Sequence, residues 1–116
     1  DGIYLYIDAA NLSLLDVDAG IYKFWVSSTG NVTRWDGKEG KWVDVPADGL
    51  TVNAQKTTDG YTLDIALSRA KLSGFNDKGI RFAIGLSNFT TPTLGITELL
   101  SLCQDLRSAS WIGVVF

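Results

Sequence analysis

The sequence predicts an all-β protein, folded as an antiparallel β-sandwich with one or two short helical turns. Apolar and polar side chains alternate over many short segments, which is the pattern of strands that bury one face. Turns that contain glycine and aspartate separate these segments, and helical periodicity is confined to short stretches. About seven or eight short strands with this spacing are typical of two packed antiparallel sheets, jelly-roll-like or immunoglobulin-like in outline.

The clearest strand pattern lies between Asp59 and Leu86. The apolar residues that share one face of the first predicted strand are Tyr61, Leu63, Ile65 and Leu67. Those that share one face of the second predicted strand are Ile80, Phe82, Ile84 and Leu86. The Ser-Arg-Ala-Lys-Leu-Ser-Gly-Phe segment between them predicts a turn or a helical loop. We expect both strands to contribute to the core.

The same alternation predicts strands on both sides of this segment. They cover residues 3–8, 21–26, 31–36, 41–45, 50–55 and 111–116. After Leu86 a loop is predicted, because Pro92 removes a donor that a strand ladder needs. Thr97 to Leu106 predicts a short helix with Thr97 as its N-cap, and a strand over residues 99–102 is the alternative.

A β-hairpin is predicted between the third and fourth strands. A four-residue loop would place Trp35 opposite Trp42. It would also place Asp36 opposite Lys41, so that an aromatic pair and an opposite-charge pair both favour this register. A five-residue loop would instead place Arg34 opposite Trp42 and allow a cation–π contact.

Length and charge indicate one domain and exclude two classes of partner. The chain has 116 residues, enough to bury roughly two-thirds of its unfolded surface, so we expect a single domain over residues 1–116. A net charge of −3, with both signs spread along the chain, gives no basic face for nucleic acid. No apolar run approaches the roughly 18 residues of a membrane helix, so no membrane partner is expected.

The composition does not favour an enzyme. Histidine is absent, which removes the usual general base and the Ser-His and Cys-His pairs. The single cysteine, Cys103, excludes an intrachain disulfide and is expected to be a small buried hydrophobe. No spacing of Asp and Glu singles out the two carboxylates that glycoside hydrolysis needs. We therefore expect a binding module.

Three segments, taken in order, resemble a known family. They are Asp1-Gly-Ile-Tyr-Leu-Tyr-Ile-Asp8, Asp16-Val-Asp18-Ala-Gly-Ile-Tyr-Lys-Phe-Trp-Val26, and Gly60-Tyr-Thr-Leu-Asp-Ile-Ala-Leu67 with Gly79 to Leu86 after it. Their order and rough spacing are similar to those of the family 9 carbohydrate-binding modules and their DOMON-like relatives. The sequence departs from the family at Asp64, where the family has Glu, and at Leu67-Ser68, where it has Ile-Pro.

The resemblance implies a jelly-roll-like sandwich that lacks the N-terminal strand of the family and that binds carbohydrate without catalysis. It also implies secretion or display at the cell surface as part of a larger protein. Some DOMON-like domains hold haem through axial Met and His, and neither residue type occurs here, so no haem is expected.

The expected sugar site consists of aromatic and polar side chains. Sugar rings expose apolar C–H faces, which stack on flat aromatic rings, and the sequence has four Trp. The resemblance makes Trp35 or Trp42, together with Trp111, the expected ligand-binding pair. The polar residues expected to bond sugar hydroxyls are Arg34, Lys41, Asn88 and Gln104. The alternative is that the first two Trp pack across their own hairpin, that Trp111 fills the core and that the polar residues are solvated. Trp25 is expected to be structural.

An early loop gathers oxygen donors of the kind that calcium prefers. They are Asp8, Asn11, Asp16 and Asp18. Related modules hold structural calcium, although the spacing here is not that of an EF-hand. The alternative is that these side chains cap the backbone groups of a turn.

Two functions remain open on the sequence alone. The first is a non-catalytic carbohydrate-binding module that holds sugar on exposed Trp side chains. The second is a structural or protein-interaction β-sandwich that has lost the sugar site. The missing N-terminal strand would leave a sheet edge exposed, through which two copies of the chain could form a homodimer. Exposure of the Trp side chains would distinguish the two functions.

Overall fold

The computed structural model describes residues 1–9, 17–75, 77, 79–91, 95–101 and 112–115. Within these ranges the chain is all-β, as predicted, and contains no helix long and apolar enough to cross a membrane. Nine strands are described: β1 (Gly2–Asp8), β2 (Ile21–Ser27), β3 (Val32–Lys38), β4 (Lys41–Val45), β5 (Leu50–Lys56), β6 (Tyr61–Leu67), β7 (Gly79–Thr91), β8 (Gly95–Ser101) and β9 (Ile112–Val115).

Seven of these strands form one antiparallel sheet, which we call the large sheet. Its order is β4-β3-β2-β1-β7-β8, and β9 also pairs with β7. Because β1 occupies one side of β7 over residues 81–87, β8 and β9 share the other side. β5 and β6 form a separate two-stranded sheet, the small sheet. The two strands of the 59–86 segment therefore belong to different sheets.

The crossover between β6 and β7 contains the one helical turn that the sequence predicts there. The backbone N–H groups of Lys71 and Leu72 both donate to the carbonyl oxygen of Ser68, at 3.2 and 3.1 Å. This turn places the Leu72 side chain in the core, where it is fully buried. The crossover thus connects the two sheets and also contributes to the apolar contact between them.

The core lies on the face of the large sheet that the small sheet covers. Strand register places Leu5 beside Phe24 on one side and beside Ile84 on the other, so the apolar side chains of β1, β2 and β7 face the same way. The small-sheet residues packed against this cluster are Leu50, Val52, Leu63 and Ile65. A fully buried side chain such as Phe24 contributes about 1.5–3 kcal/mol relative to an exposed one. The arrangement is sandwich-like.

The small sheet covers only part of the core face. Between β6 and the pair β1–β7 lies an open cleft of about 240 Å³, lined by apolar side chains. Leu67, at the end of β6, borders this cleft and is 37% exposed.

The hairpin between β3 and β4 has neither of the registers that the sequence predicts. Its turn consists of Glu39 and Gly40, with φ of 50° and 80°, and Lys38 is paired with Lys41. Two positive φ values are typical of the two-residue turns whose twist matches that of the flanking strands. As a result Trp42 lies opposite Gly37, and the paired strands extend further toward the turn than predicted.

The region after Leu86 also differs from the prediction. β7 continues to Thr91, where a loop was expected, and the start of the predicted helix is part of β8 instead. The pairing of Ser87 with Leu99 explains this difference, because the free side of β7 supplies the hydrogen-bond partners that a strand needs. Pro92 and residues 102–106 lie outside the described ranges.

Asp8 and Arg81 form an ion pair between β1 and β7. The two residues are directly opposite in the register, and Asp8 is fully buried. Arg81 donates from Nε and Nη2 to Asp8 Oδ2 at 3.0 and 2.8 Å. A buried carboxylate that loses its cation keeps its desolvation cost without compensation. The pair therefore stabilises the centre of the large sheet.

Replacing Arg81 by Met is expected to lower the free energy of unfolding by about 3–5 kcal/mol, as for other buried ion pairs that lose one partner. Urea denaturation would measure the loss. The control is Lys71→Met, because Lys71 Nζ lies 3.5 Å from Asp48 Oδ2 in a pair whose side chains are 59% and 58% exposed. That change should cost less than about 1 kcal/mol. Equal, small losses for the two variants would contradict the stabilising role of the buried pair.

Gly37 is the residue on β3 at which the chain cannot accept a side chain. A Cβ there would overlap the backbone carbonyl of Asp18, and the Asp18 carbonyl carbon and nitrogen would both lie at 3.0 Å. The Gly40 N–H also donates to the Val17 carbonyl at 2.7 Å, so the 17–18 segment packs directly on the end of the hairpin. We expect Gly37→Ala to lower the free energy of unfolding by about 1–3 kcal/mol through overpacking.

The matched control for this change is Gly60→Ala in the turn before β6. A Cβ on Gly60 would meet only Thr57 Oγ1, at 4.0 Å, so the smaller entropy of the unfolded chain should make the change neutral or stabilising by up to about 1 kcal/mol. Thermal or urea unfolding of both variants would measure the difference. A Gly37→Ala protein as stable as Gly60→Ala would contradict the close approach of Asp18.

Candidate functional site

The outer surface of the large sheet, facing away from the core, carries a cluster of aromatic side chains. Register places Tyr6 opposite Lys23, Lys23 opposite Trp35, and Tyr4 opposite Trp25. Trp42 is two residues from Asp44, the partner of Trp35, and so shares this surface. We call this surface the aromatic face and define it by Tyr4, Tyr6, Lys23, Trp25, Trp35 and Trp42. All six side chains are half-buried.

The ammonium group of Lys23 lies at the centre of the aromatic face. Its Nζ is 4.7 Å from the ring centroid of Trp35, 5.2 Å from that of Tyr4 and 5.9 Å from that of Trp42. All three distances are within the range of about 6 Å over which a cation is attracted by a ring face. The ammonium is therefore held by rings from three strands, β1, β3 and β4.

The aromatic rings also contact one another. The centroids of Tyr4 and Trp25 are 4.8 Å apart with an interplanar angle of 50°, and those of Tyr6 and Trp42 are 6.1 Å apart with an angle of 53°. Tilted pairs at such separations are favourable beyond the apolar area that they bury. The rings thus support each other while each keeps part of its surface accessible.

The burial of Lys23 lowers its pKa from the ordinary value of 10.5, because desolvation disfavours the charged amine. The titratable groups on the same side of the large sheet are Tyr4, Tyr6 and Asp8 on β1, with Arg81 of β7 bound to Asp8, and, beyond Trp35, Asp44 on β4. Among the described residues no carboxylate lies within ion-pair distance of the Lys23 ammonium. Within this part of the chain, the aromatic rings are the groups that offset the desolvation of the Lys23 ammonium.

The structure brings together two of the seven residues predicted to bind sugar. Trp35 and Trp42 lie on the aromatic face in a diagonal arrangement, not directly opposite as the hairpin prediction required. Trp111 and Gln104 lie outside the described residues. Asn88 is on β7 and paired with Glu98, and only its backbone position is described.

Arg34 lies on the opposite side of the large sheet from Trp35, where it is 8% exposed. It makes two hydrogen bonds to Asp36, at 2.7 and 3.0 Å, and donates to the carbonyl oxygens of Asp48 and Lys71 at 2.8 and 3.2 Å. These contacts occupy the guanidinium inside the protein, so its placement does not fit a contact with sugar. Lys41 is exposed and also faces away from Trp42, its neighbour on β4.

Four members of the aromatic face, Tyr4, Tyr6, Lys23 and Trp25, were not among the predicted site residues. Tyr4, Tyr6 and Lys23 alternate with core residues of β1 and β2, so the sequence pattern could have placed each on the outer side of its own strand, although not beside one another. Trp25, expected to be structural, lies on the same surface, and its ring tip would meet a Cβ built on Gly2 at 2.9 Å.

The predicted calcium ligands are not brought together within the described residues. Asp8 is bound to Arg81, while Asp18 Oδ1 accepts from the backbone N–H groups of Ala19 and Glu39 at 2.8 and 3.4 Å. The contacts of Asp18 are those of a turn-capping side chain. Asn11 and Asp16 lie outside the described residues, and within the described ranges no group of three or more His, Cys, Asp or Glu side chains could hold a metal ion.

The lowered pKa of Lys23 predicts a pH dependence of stability. Between that pKa and 10.5 the folded state binds fewer protons at Lys23 than the unfolded state does, so the free energy of unfolding rises with pH across this window. Lys23→Met should remove this rise. The free energy of unfolding of wild type should therefore increase relative to that of the variant as the pH approaches 10.5. Urea denaturation at a series of pH values measures this difference, and NMR titration of Lys23 Nζ measures the pKa directly. A Lys23 midpoint at or above 10.5 would contradict the expectation.

Comparison with known proteins adds no relative from which a function could be transferred. No family model, no curated protein and no solved structure matches the chain. The similarity of the strand motifs to carbohydrate-binding modules stays an expectation from the sequence, and the side chains of the aromatic face are the remaining guide to function.

Proposed function

We propose that the chain is a non-catalytic carbohydrate-binding module and that the aromatic face is its binding surface. The observation that supports this most directly is the placement of Trp35 and Trp42 on one accessible surface around a single ammonium group. The apolar face of a pyranose ring can stack on an indole ring, while hydroxyl groups at the rim of the sugar need polar partners. Both kinds of group are present within a few ångströms of each other.

The polar contacts come from groups different from those expected on the sequence. The Lys23 ammonium has three N–H donors, and the indole N–H groups add further donors. Asp44, exposed and opposite Trp35, supplies an acceptor at the rim. Donors thus lie at the centre of the surface and a carboxylate lies at its edge, which suits a ligand with many hydroxyl groups.

Binding is favoured over hydrolysis by the carboxylates that this surface offers. Glycoside hydrolysis uses two carboxyl groups about 5–10 Å apart on either side of the scissile bond. Asp44 is the exposed carboxylate beside the rings, whereas Asp8 is buried and bound to Arg81. The motif order of the sequence further supports a module of a secreted or cell-surface protein with other domains.

A structural role is the second candidate, favoured by the contact of the rings with one another. Tyr6 packs on Trp42 and Tyr4 packs on Trp25, so part of each ring already serves stability. In that case the aromatic face would hold the large sheet together or contact another protein, and sugars would not bind it. The two roles differ in how binding and stability respond to the same substitutions.

The test is isothermal titration calorimetry with a panel of plant and microbial mono- and oligosaccharides, accompanied by Trp fluorescence. Trp35→Ala and Trp42→Ala are each expected to weaken binding about tenfold or more, because a central aromatic contact contributes about 1.4 kcal/mol or more. A core truncation such as Phe24→Ala should lower the free energy of unfolding by about 3–5 kcal/mol, and the two Trp variants should lower it by much less.

Val43→Ala is the matched control, because Val43 neighbours Trp42 on β4, faces the other way and is 41% exposed. This variant should bind as wild type does. If no saccharide binds wild type, or if the Trp variants lose several kcal/mol of stability and no affinity, the carbohydrate function is wrong and the structural role stands.

A further inference from the structure

We infer that the aromatic face selects anionic saccharides, with the carboxylate or sulfate group of the sugar bound to the Lys23 ammonium. This inference rests on the proposed carbohydrate function and names the class of ligand for the same surface. Its basis is the contrast between Lys23 and two other cations of the large sheet that are buried or partly buried, Arg34 and Arg81.

Those two cations each have a carboxylate partner within the protein. Arg34 is bound to Asp36 at 2.7 Å, and Arg81 to Asp8 at 2.8 Å. Lys23 is also partly withdrawn from solvent, yet among the described residues its ammonium contacts ring faces and pairs with no carboxylate. Rings stabilise a cation without neutralising it, so the positive charge remains available to an external anion.

The position of the ammonium suits an anionic group attached to a sugar ring. The Nζ atom lies within 6 Å of the Trp35 and Trp42 ring centroids, so an anion that reaches it brings the rest of the ligand against the indole rings. In a uronic acid the carboxylate is attached directly to the pyranose ring, and in a sulfated sugar the sulfate is attached through one oxygen. Either group would reach Lys23 while the C–H face of the sugar contacts an indole.

The carboxylates on this side of the large sheet do not oppose such binding. Asp8 lies diagonal to Lys23 across β1 and β2, but its charge is neutralised by Arg81. Asp44 is separated from Lys23 by the position of Trp35, which corresponds to two strand spacings or roughly 9–10 Å. This exceeds the screening length of about 8 Å at physiological ionic strength, and Asp44 is exposed. The net charge of −3 repels anions at long range, so the selectivity comes from Lys23 itself.

The experiment compares each anionic ligand with a neutral form of the same sugar. Oligomers of glucuronic, galacturonic and mannuronic acid are titrated beside their methyl esters, and sulfated galactan oligosaccharides beside the desulfated sugars. Wild type is expected to bind at least one anionic form about tenfold more tightly than its neutral counterpart, as a charge-assisted hydrogen bond predicts. The uronate and sulfate arms show which anionic group the surface takes.

Lys23→Met should bring the ratio of anionic to neutral affinity to about one, and Lys23→Arg should keep it above one. Lys71→Met, which removes an exposed cation elsewhere, should leave the ratio unchanged. Binding of the anionic ligand should also raise the pKa of Lys23 in an NMR titration, a change that a merely structural lysine would not show.

The outcomes separate this inference from the proposed function. Equal binding of anionic and neutral sugars, lost in Trp35→Ala, would overturn the anionic preference and leave carbohydrate binding intact. Absence of binding to every saccharide would overturn both. An anionic preference that persists in Lys23→Met would overturn the role of Lys23.

Discussion

The pairing of β1 along its whole length with β2 and β7 is the constraint on which both faces of the large sheet depend. Leu5 lies between Phe24 and Ile84, and because side chains alternate, Tyr6 then lies between Lys23 and Ala83. A shift of β1 by one residue would move Leu5 out of the core and Tyr6 into it. The buried apolar cluster thus determines which side chains form the outer surface, and the candidate site follows from the packing of the core.

The sheet accommodates its partly buried cations in two different ways. Arg34, on the core side, is held by a carboxylate and two carbonyl oxygens and lies 5.2 Å from the Tyr22 ring centroid, so four of its five N–H donors are used within the protein. Lys23, on the outer side, is surrounded by rings and keeps a lowered pKa. The first arrangement stabilises the fold, while the second leaves an unneutralised charge at an accessible surface. Because of this difference we assign the binding of an anionic group to Lys23 and not to Arg34.

Strand positions and strand faces could be predicted from the sequence, but pairings between distant segments could not. Alternation correctly assigned the core-facing sides of β6 and β7, because the apolar residues there recur at every second position. The hairpin register was missed because Glu39 adopts a positive φ that Asn, Asp or Gly more commonly adopt. The helix was preferred to the alternative strand over residues 99–102, where β8 lies in part, because the leucines of this segment fit either period until the free side of β7 is known. Arg34 was misplaced because its partners Asp48 and Lys71 are far along the chain.

The candidate site was only partly predictable for a related reason. Trp35 and Trp42 are near in sequence, and their chemistry alone marks them as a pair. The contribution of Tyr4 and Lys23 depends on three strands lying side by side, which no local pattern contains. Gly37 shows how closely the surface and the fold are connected, because it faces the same way as Trp35, lies opposite Trp42 and is packed against Asp18. A side chain there would disturb the hairpin that presents both Trp residues, so stability must be measured beside binding for every variant of this face.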